Sequence, residues 1–292
     1  MRNLTGWILT LACMLTIPAP APSPAQVADT SKDESRSIKA MVEDSVDWYR
    51  VFADAGAAEA MRPHRVLRWR NATRGTQEAE GVFVLWVNKG RPEASASVYP
   101  WEGDIYHVFV SLSREAKLVA REAGRVIWSP ETPGVQFHDI PGAPAPADTP
   151  AARLRQMKAL ADRFKVTMTG WKADKSDREE LRVLPKPLYR YERSEATGPD
   201  PGWVDGEVVG FVQGTDPEAI LLLEAVRQGG RPRWRYAFAR ATAGGLEARL
   251  DQMVVWEVGF LEGQATPLKP EMTLHRPLST TASKRGAAPA GR

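Results

Sequence analysis

Apolar residues recur at helical spacing in two segments of the chain. The first set is Ile38, Met41, Val42, Val46 and Tyr49. The second set is Leu154, Met157, Leu160, Ala161 and Phe164. Positions three or four residues apart lie on one face of a helix, so each set predicts an amphipathic helix.

Runs rich in β-branched and aromatic residues follow each predicted helix. After the first helix, the predicted strands are 82–88, 93–99 and 105–113. After the second, they are 208–213, 218–227, 233–242 and 246–258. The links between them are short, which favours antiparallel meanders. We therefore predict an α+β fold of two tandem homologous modules, each an N-terminal helix packed on a curved antiparallel β-meander.

Residues 216–223 fit two kinds of structure. Asp216 and Pro217 are typical of a helix start, and four apolar residues follow Ala219. The matching residues of the first half, 92–99, make a poor helix and a plausible strand. Because homologous copies share their structure, we predict a strand in both halves.

Five short patterns of the first half recur in the same order in the second. The paired segments are 36–43 with 155–162, 68–69 with 190–191, 80–94 with 205–219, Tyr106 and Phe109 with Tyr236 and Phe238, and 120–128 with 248–256. The separation stays between 119 and 130 residues, which indicates a tandem duplication. We predict module 1 at 26–140, a linker rich in Pro and Ala at 141–150, and module 2 at 151–276.

The two ends of the chain predict export and a loose tail. Arg2, an apolar run over 4–17 and Ser-Pro-Ala at 23–25 are typical of a cleavable signal peptide at 1–25. A transmembrane anchor is the alternative, but the run is short and ends in prolines. A lipid anchor on Cys13 is disfavoured, because the residues around Cys13 match the lipidation motif poorly. The interpretation is a periplasmic or secreted bacterial protein without an anchor after cleavage, and with a disordered basic tail at 277–292.

Composition excludes several functions. Without Arg2 the chain has 38 basic and 36 acidic residues, and this near-neutral balance argues against nucleic acid as the partner. Cys13 is the only cysteine and lies in the predicted signal. The mature chain would therefore have no disulfide, thiolate nucleophile or cysteine metal site.

Motifs for metal and cofactor chemistry are also missing. The four histidines are His64, His107, His138 and His275, and no two occupy the same position of the repeat. Zinc-hydrolase spacing, a serine-nucleophile elbow, a phosphate-binding loop and a dinucleotide fingerprint are absent from the sequence. We predict no metal and no cofactor.

Four residues are candidates for catalysis. Glu93 and Glu218 occupy matching positions after a hairpin turn, where a pseudo-twofold arrangement would bring two carboxylates together for acid/base work. Asp104 and His107 are close neighbours in sequence. The simpler interpretation, which we favour, is an exposed charge beside each turn and a histidine in a strand.

Five residues are candidates for ligand binding. Trp101, Trp203 and Trp234 lie in loop or strand-edge settings beside charged residues, where indole rings stack on flat ligands. Arg121 and Arg249 are matched in the repeat and would bind an anion or pair with the glutamate of their own module. Core packing is the alternative for the tryptophans.

The sequence favours a non-catalytic exported protein that binds a small ligand, a glycan, a lipid or an envelope protein. The alternative is a hydrolase acting on cell-envelope or extracellular polymer, which would need a cleft with converging acidic groups or a histidine. A structural partner with an exposed apolar patch is a third interpretation. The sequence does not fix the oligomeric state.

Overall fold

A computed structural model describes residues 36–72, 79–115, 117–170, 178–193, 202–228, 231–261 and 268–277. Of these described residues, 55% are in strands and 12% in helices, and the strands form four sheets. The predicted signal peptide and all but the first residue of the predicted basic tail lie outside the described residues.

Two helices and 18 strands make up the described chain. Helix α1 (36–45) continues into a 3-10 turn at Val46–Trp48, and helix α2 is Pro150–Ala161. The strands are β1 Tyr49–Phe52, β2 Arg62–Asn71, β3 Ala79–Asn88, β4 Arg91–Trp101, β5 Asp104–Ser111, β6 Val119–Glu122, β7 Arg125–Trp128, β8 His138–Asp139, β9 Phe164–Gly170, β10 Glu179–Glu180, β11 Arg182–Val183, β12 Tyr189–Glu192, β13 Asp205–Gln213, β14 Asp216–Gln228, β15 Arg231–Arg240, β16 Gly245–Leu250, β17 Met253–Val258 and β18 Glu271–Pro277.

Four antiparallel sheets are built from these strands. We call β2-β3-β4-β5-β18 the first central sheet, and β11-β13-β14-β15-β8, with β12 also on β13, the second central sheet. The first outer sheet is β1-β6-β7, and the second outer sheet is β10-β9-β16-β17.

The central sheets are buried on both faces. Ile220 and Leu222 of β14 lie in one core with residues of the first central sheet, including Phe83 and Leu85. Leu221, the residue between them, lies in a second core with α2 and the second outer sheet. Successive side chains of a strand point to opposite faces, so β14 is covered on one side by each core.

The prediction of an α+β fold, with a helix packed on a meander in each of two modules, is wrong. The fold is mostly β, and sheets rather than helices supply most of the cover for the central strands. The predicted strand 246–258 is in fact a hairpin, because Asp251 and Gln252 turn the chain with positive φ angles of 47° and 76°. That hairpin joins β9 in a separate outer sheet, which the meander interpretation did not include.

Corresponding strands of the two halves have the same register. The β3–β4 hairpin has a bulge between Trp86 and Val87, and the β13–β14 hairpin has one between Phe211 and Val212. The outer hairpins also bulge at matched places, at Ala120/Arg121 and at Ala248/Arg249. The common origin of the halves stays a sequence prediction, whereas their matched pairing is a property of the fold.

Each half donates a strand to the central sheet of the other. Strand β8, which follows the first outer hairpin, pairs with β15 of the second central sheet. Strand β18, which follows the second outer hairpin, pairs with β5 of the first central sheet. Separating the halves would therefore break strand ladders in both sheets.

The predicted linker is held against helix α2. Thr149 caps the helix through a hydrogen bond to its side chain from the Ala152 amide, at 3.3 Å. The Arg153 guanidinium donates to the carbonyl oxygens of Ala147 and Asp148. These contacts fix the backbone just before the second half.

An aromatic ring covers a glycine at the same place in each half. A Cβ added to Gly81 would lie 2.4 Å from the Trp69 ring, and one added to Gly206 would lie 2.4 Å from the Tyr191 ring. Carbon atoms do not approach this closely, so any larger residue must displace a buried ring.

Replacing Gly81 or Gly206 by alanine should lower the free energy of unfolding by about 1–3 kcal/mol, because each site would be overpacked. Urea denaturation followed by tryptophan fluorescence measures the change. Gly259→Ala is the control, since its added Cβ has no atom within 4 Å. Losses no larger than that of the control would contradict the packing described here.

Candidate functional site

A groove of about 640 Å³ runs along the outer edge of β15. We call it the β15 groove. Its lining comprises segment 133–138, Arg114, two residues of the second outer sheet, and Arg235, Tyr236 and Phe238 of β15.

The groove exists because the chain before β8 leaves the sheet. Strand β8 pairs with β15 only at Tyr236 and Arg235. Upstream, the amides of Gly134 and Val135 donate to the Ser113 carbonyl oxygen, at 2.9 and 3.3 Å. This contact ties the segment to the end of β5.

Two guanidinium groups pack on the Phe137 ring. The Arg91 and Arg235 Cζ atoms lie 5.5 and 5.1 Å from the centre of its ring. Cations over an aromatic face attract its quadrupole, and more strongly where water is excluded. The two arginines therefore fix one wall of the groove.

Behind that wall lies a buried charge cluster, formed by Arg91, Glu93, Tyr191 and Glu224. The Glu224 Oε1 atom accepts hydrogen bonds from Arg91 Nε at 2.7 Å and from the Tyr191 hydroxyl at 3.0 Å. Arg91 Nη1 also donates to Glu93, at 3.0 Å. Burial opposes the charge on Arg91, but the Glu224 and Glu93 carboxylates outweigh it and raise the pKa of the guanidinium. Burial, with Glu224 beside it, raises the pKa of Tyr191.

Hydrogen-bonding capacity remains unused beside the groove. Arg91 Nη2, Glu224 Oε2 and Arg235 Nε are buried without a hydrogen-bond partner among the described residues. Arg235 Nη2 lies 4.0 Å from Glu224 Oε2, too far for a direct hydrogen bond. Burial lowers the pKa of Arg235, and the neighbouring charge of Arg114 adds to this effect. The Arg235 guanidinium, which lines the groove, therefore has no hydrogen-bonded carboxylate among the described residues.

The other side of the groove is aromatic. The Trp256 and Phe238 rings stack with centroids 5.4 Å apart and an angle of 18° between their planes. Tyr236 packs on Phe164 at 5.0 Å and on His138 at 5.7 Å. The groove therefore combines an apolar side with a cationic one.

His107, a predicted catalytic candidate, is a core residue. It is fully buried, 5.2 Å from the Tyr49 ring, and its Nε2 atom lies 3.0 Å from Ser45 Oγ. Ser45 Oγ donates to the Val42 carbonyl oxygen, so Nε2 donates to Ser45. Burial lowers the pKa of His107 to about 3, which keeps the ring neutral. Asp104 lies three residues away in the same strand, on the opposite face, and the two do not form an acid–histidine pair.

The matched glutamates have separate structural settings. Glu93 lies on the first central sheet, is paired with Arg91, and borders a pocket of about 200 Å³ with Arg114 and Lys117. Glu218 lies on the second central sheet and is completely buried. The acid/base pair that we considered as an alternative is found neither in this pocket, which contains Glu93 without Glu218, nor in the β15 groove, which contains neither glutamate.

The candidate tryptophans pack mainly into the protein. Trp203 and Trp234 are 3% and 1% exposed, and Trp203 meets the Tyr191 ring edge-on at 5.2 Å. Trp101 is half-buried at the end of β4 and contacts the core between the central sheets. None of the three lines the β15 groove.

The matched arginines also have structural contacts. The Arg121 Cζ atom lies 5.4 Å from the centre of the Phe52 ring. Arg249 donates to Glu247 Oε1 at 2.8 Å and to the Gln252 carbonyl oxygen at 3.0 Å. Their positions match in the repeat, but their partners differ.

Sequence reasoning missed the residues that form the groove. Glu224 did carry a signal, because it interrupts the apolar run 220–226, and an isolated charge in a buried strand needs a partner. Arg91 lay in a segment interpreted as a turn. Arg114, Phe137 and Arg235 carry no local signal, since only the path of segment 133–138 brings them together.

The described residues show neither a metal-binding cluster nor a membrane-spanning helix. No group of three or more His, Cys, Asp or Glu side chains suited to a metal ion occurs in the described part of the chain. Within that same part, neither helix has the length and hydropathy needed to cross a membrane.

Comparison of the chain with protein-family models, curated proteins and solved structures gives no match.

Breaking the buried charge cluster should destabilise the fold strongly. Arg91→Met or Glu224→Leu alone should each cost about 3–5 kcal/mol of unfolding free energy, because the remaining charge is buried without its partner. The double variant should lose less than the sum of the single losses. Urea denaturation measures all three.

Lys165→Met is the matched control for an exposed ion pair. Lys165 lies 3.4 Å from Glu180, with both side chains more than half exposed, and the loss should stay below about 1 kcal/mol. Additive losses for Arg91 and Glu224 would contradict the coupling assigned to them.

A second buried carboxylate links stability to pH. Glu207 of β13 is 3% exposed, and burial raises its pKa to about 7, against the attraction of Arg190. Its ordinary value is 4.5. Between these two values the folded state retains a proton that the unfolded chain has lost, so the contribution of Glu207 to stability falls as pH rises.

Glu207→Gln should remove this pH dependence. The free energy of unfolding of the variant, minus that of the parent protein, should therefore rise as the pH is raised from about 5 to about 8. The rise should be at most about 3 kcal/mol. Urea denaturation at both pH values measures the gain, and Glu180→Gln, an exposed carboxylate, is the control. An equal gain at both pH values would refute the assignment.

Proposed function

We propose that this protein is an exported, non-catalytic binding protein whose ligand lies in the β15 groove. The observation that carries the proposal is the combination of an aromatic side with Arg235, a lining residue whose guanidinium is not hydrogen-bonded to a carboxylate among the described residues. Binding sites typically combine an apolar lining with a few polar groups that fix orientation.

The chemistry of the lining points to an anionic ligand with an apolar part. Arg114 and Arg235 both border the groove, and the described lining includes no carboxylate. Glu224 lies behind the wall, where it is fully buried and bonded to Arg91. An anion would therefore meet two cations without an opposing charge at the surface of the groove.

The contacts of the candidate catalytic residues also favour binding over hydrolysis. His107 and Glu218 are buried, and Glu93 is paired with Arg91. A general acid or base needs to reach the substrate, which a buried side chain away from a cleft does not.

Export is the cellular part of the proposal. Its support is the pattern of residues 1–25, a positive start followed by an apolar run and a small-x-small site. The groove would then meet ligands of the periplasm or the medium.

The probe for this proposal is 8-anilinonaphthalene-1-sulfonate, which carries a sulfonate and flat apolar rings. Its fluorescence should rise saturably on titration with the folded protein. Arg235→Met and Arg114→Met should each weaken binding by about tenfold, the effect of losing about 1.4 kcal/mol.

Arg125→Met is the matched control, because Arg125 is exposed on β7 and does not line the groove. Urea denaturation of each variant separates lost binding from lost folding. Unchanged affinity in both groove variants would refute this site.

A further inference from the structure

The edge of β15 that borders the groove is open. Pairing with β8 covers only Arg235 and Tyr236, and no strand of the described residues pairs with β15 beyond Tyr236 on that side. The Ala241 amide donates to Glu218 on the β14 side, while the Trp234 carbonyl accepts from Ile140 on the other side. Backbone groups alternate along a strand, so those of Phe238 point toward the groove.

The matching edge in the first half is filled. Phe109 of β5 corresponds to Phe238, since each lies opposite the matched residue of the neighbouring strand, Ala96 or Leu221. Each also packs against the tryptophan of its outer hairpin. The ring centroids of Phe109 and Trp128 lie 5.6 Å apart with their planes tilted by 36°, and those of Phe238 and Trp256 lie 5.4 Å apart. Strand β18 pairs with β5 along its whole length, and its Met272 lies opposite Phe109.

The β15 groove thus lies at the edge where the first central sheet has a further strand, β18. Its lining comes from both faces of the second central sheet, with Phe238 in the core on one face and Phe137 in the core on the other. A strand added to the edge would place alternate side chains on these two faces. A pocket confined to one face would not accept such a segment.

We propose that the β15 groove binds the C-terminal residues of an extended peptide, which adds to β15 as an antiparallel strand. This inference rests on the proposed function and names its ligand class. Strand addition obtains affinity from main-chain hydrogen bonds and specificity from alternate side chains. The open backbone of Phe238 and the filled edge beside Phe109 supply the template.

The direction of the added strand determines where the carboxyl end of the peptide lies. An antiparallel strand that starts opposite Arg240 runs toward Ala237 and then meets the first residue of β8, His138. The chain of the peptide must stop there, because β8 occupies the next positions along the edge. Arg235 lies at this point and Arg114 shares the lining, so the two guanidinium groups would bind the terminal carboxylate.

The same geometry determines which type of side chain the ligand should have opposite Phe238. Residues directly opposite each other in an antiparallel pair lie on the same face, so the residue opposite Phe238 would pack against Trp256. In the first half this position is held by Met272, which is 4% exposed and shares a core with Trp128. The penultimate residue of the ligand should therefore be apolar.

The probe is a peptide with the sequence Lys-Pro-Glu-Met-Thr, which copies residues 269–273 of the filled edge. It carries fluorescein on its N-terminus, and binding to the full protein is followed by fluorescence anisotropy. The free acid should bind at least about tenfold more tightly than the C-terminal amide, and serine in place of the methionine should weaken binding to a similar extent. Arg235→Met should remove the advantage of the acid over the amide.

Amide hydrogen exchange reports the strand itself. The free-acid peptide should slow exchange of the Phe238 amide, which faces the groove, and leave that of Ala239, which faces β14, unchanged. Equal binding of acid and amide, or no protection at Phe238, would overturn strand addition. Continued binding of the anilinonaphthalene probe in that case would leave the proposed function standing, and loss of both would refute both.

Discussion

The two central sheets share one core, and the outer sheets of the described residues cover the remaining faces of these central sheets. Ile220 and Leu222 of β14 meet Phe83 and Leu85 of β3 there, while the alternate residues of the same strands face the outer sheets. Strands buried on both faces need a packed layer on each side. Each outer sheet, together with its helix, packs on only one face of a central sheet, and the other central sheet packs on the second face. Since β8 and β18 also cross between the halves, packing and strand pairing oppose their separation together.

The buried charge cluster connects this core to the candidate site. Arg91 of the first central sheet bonds to Glu224 of the second, and both Arg91 and Arg235 pack on Phe137. The cation that this contact neutralises inside the core is thus also the one that packs on Phe137, a residue of the groove wall. Arg91 therefore contributes both to the buried charge cluster and to the position of the groove wall, although it does not line the groove itself.

Local pattern predicted the strands well and their assembly poorly. Segments 82–88 and 208–213 alternate or carry β-branched residues, and both are strands. Comparison of the halves also correctly predicted a strand at 218–227, which lies within β14. The turn at Asp251 and Gln252 has neither Gly nor Pro, so the second outer hairpin was missed. Packing of one sheet on another depends on long-range contacts, which local pattern does not encode. The groove depends on them too, since Arg114 and Arg235 are far apart in sequence.

The exchange of β8 and β18 bears on how such a chain could be assembled from smaller parts. In a polypeptide of half this length with the same strand order, the last strand would not pair with the sheet formed by its own chain. Two such polypeptides would complete each other by trading those strands, as in a domain-swapped dimer. The present chain has the connectivity of that dimer with its subunits fused through residues 140–149, and fusion leaves the two traded strands free to differ in length: seven residues in β18 but two in β8.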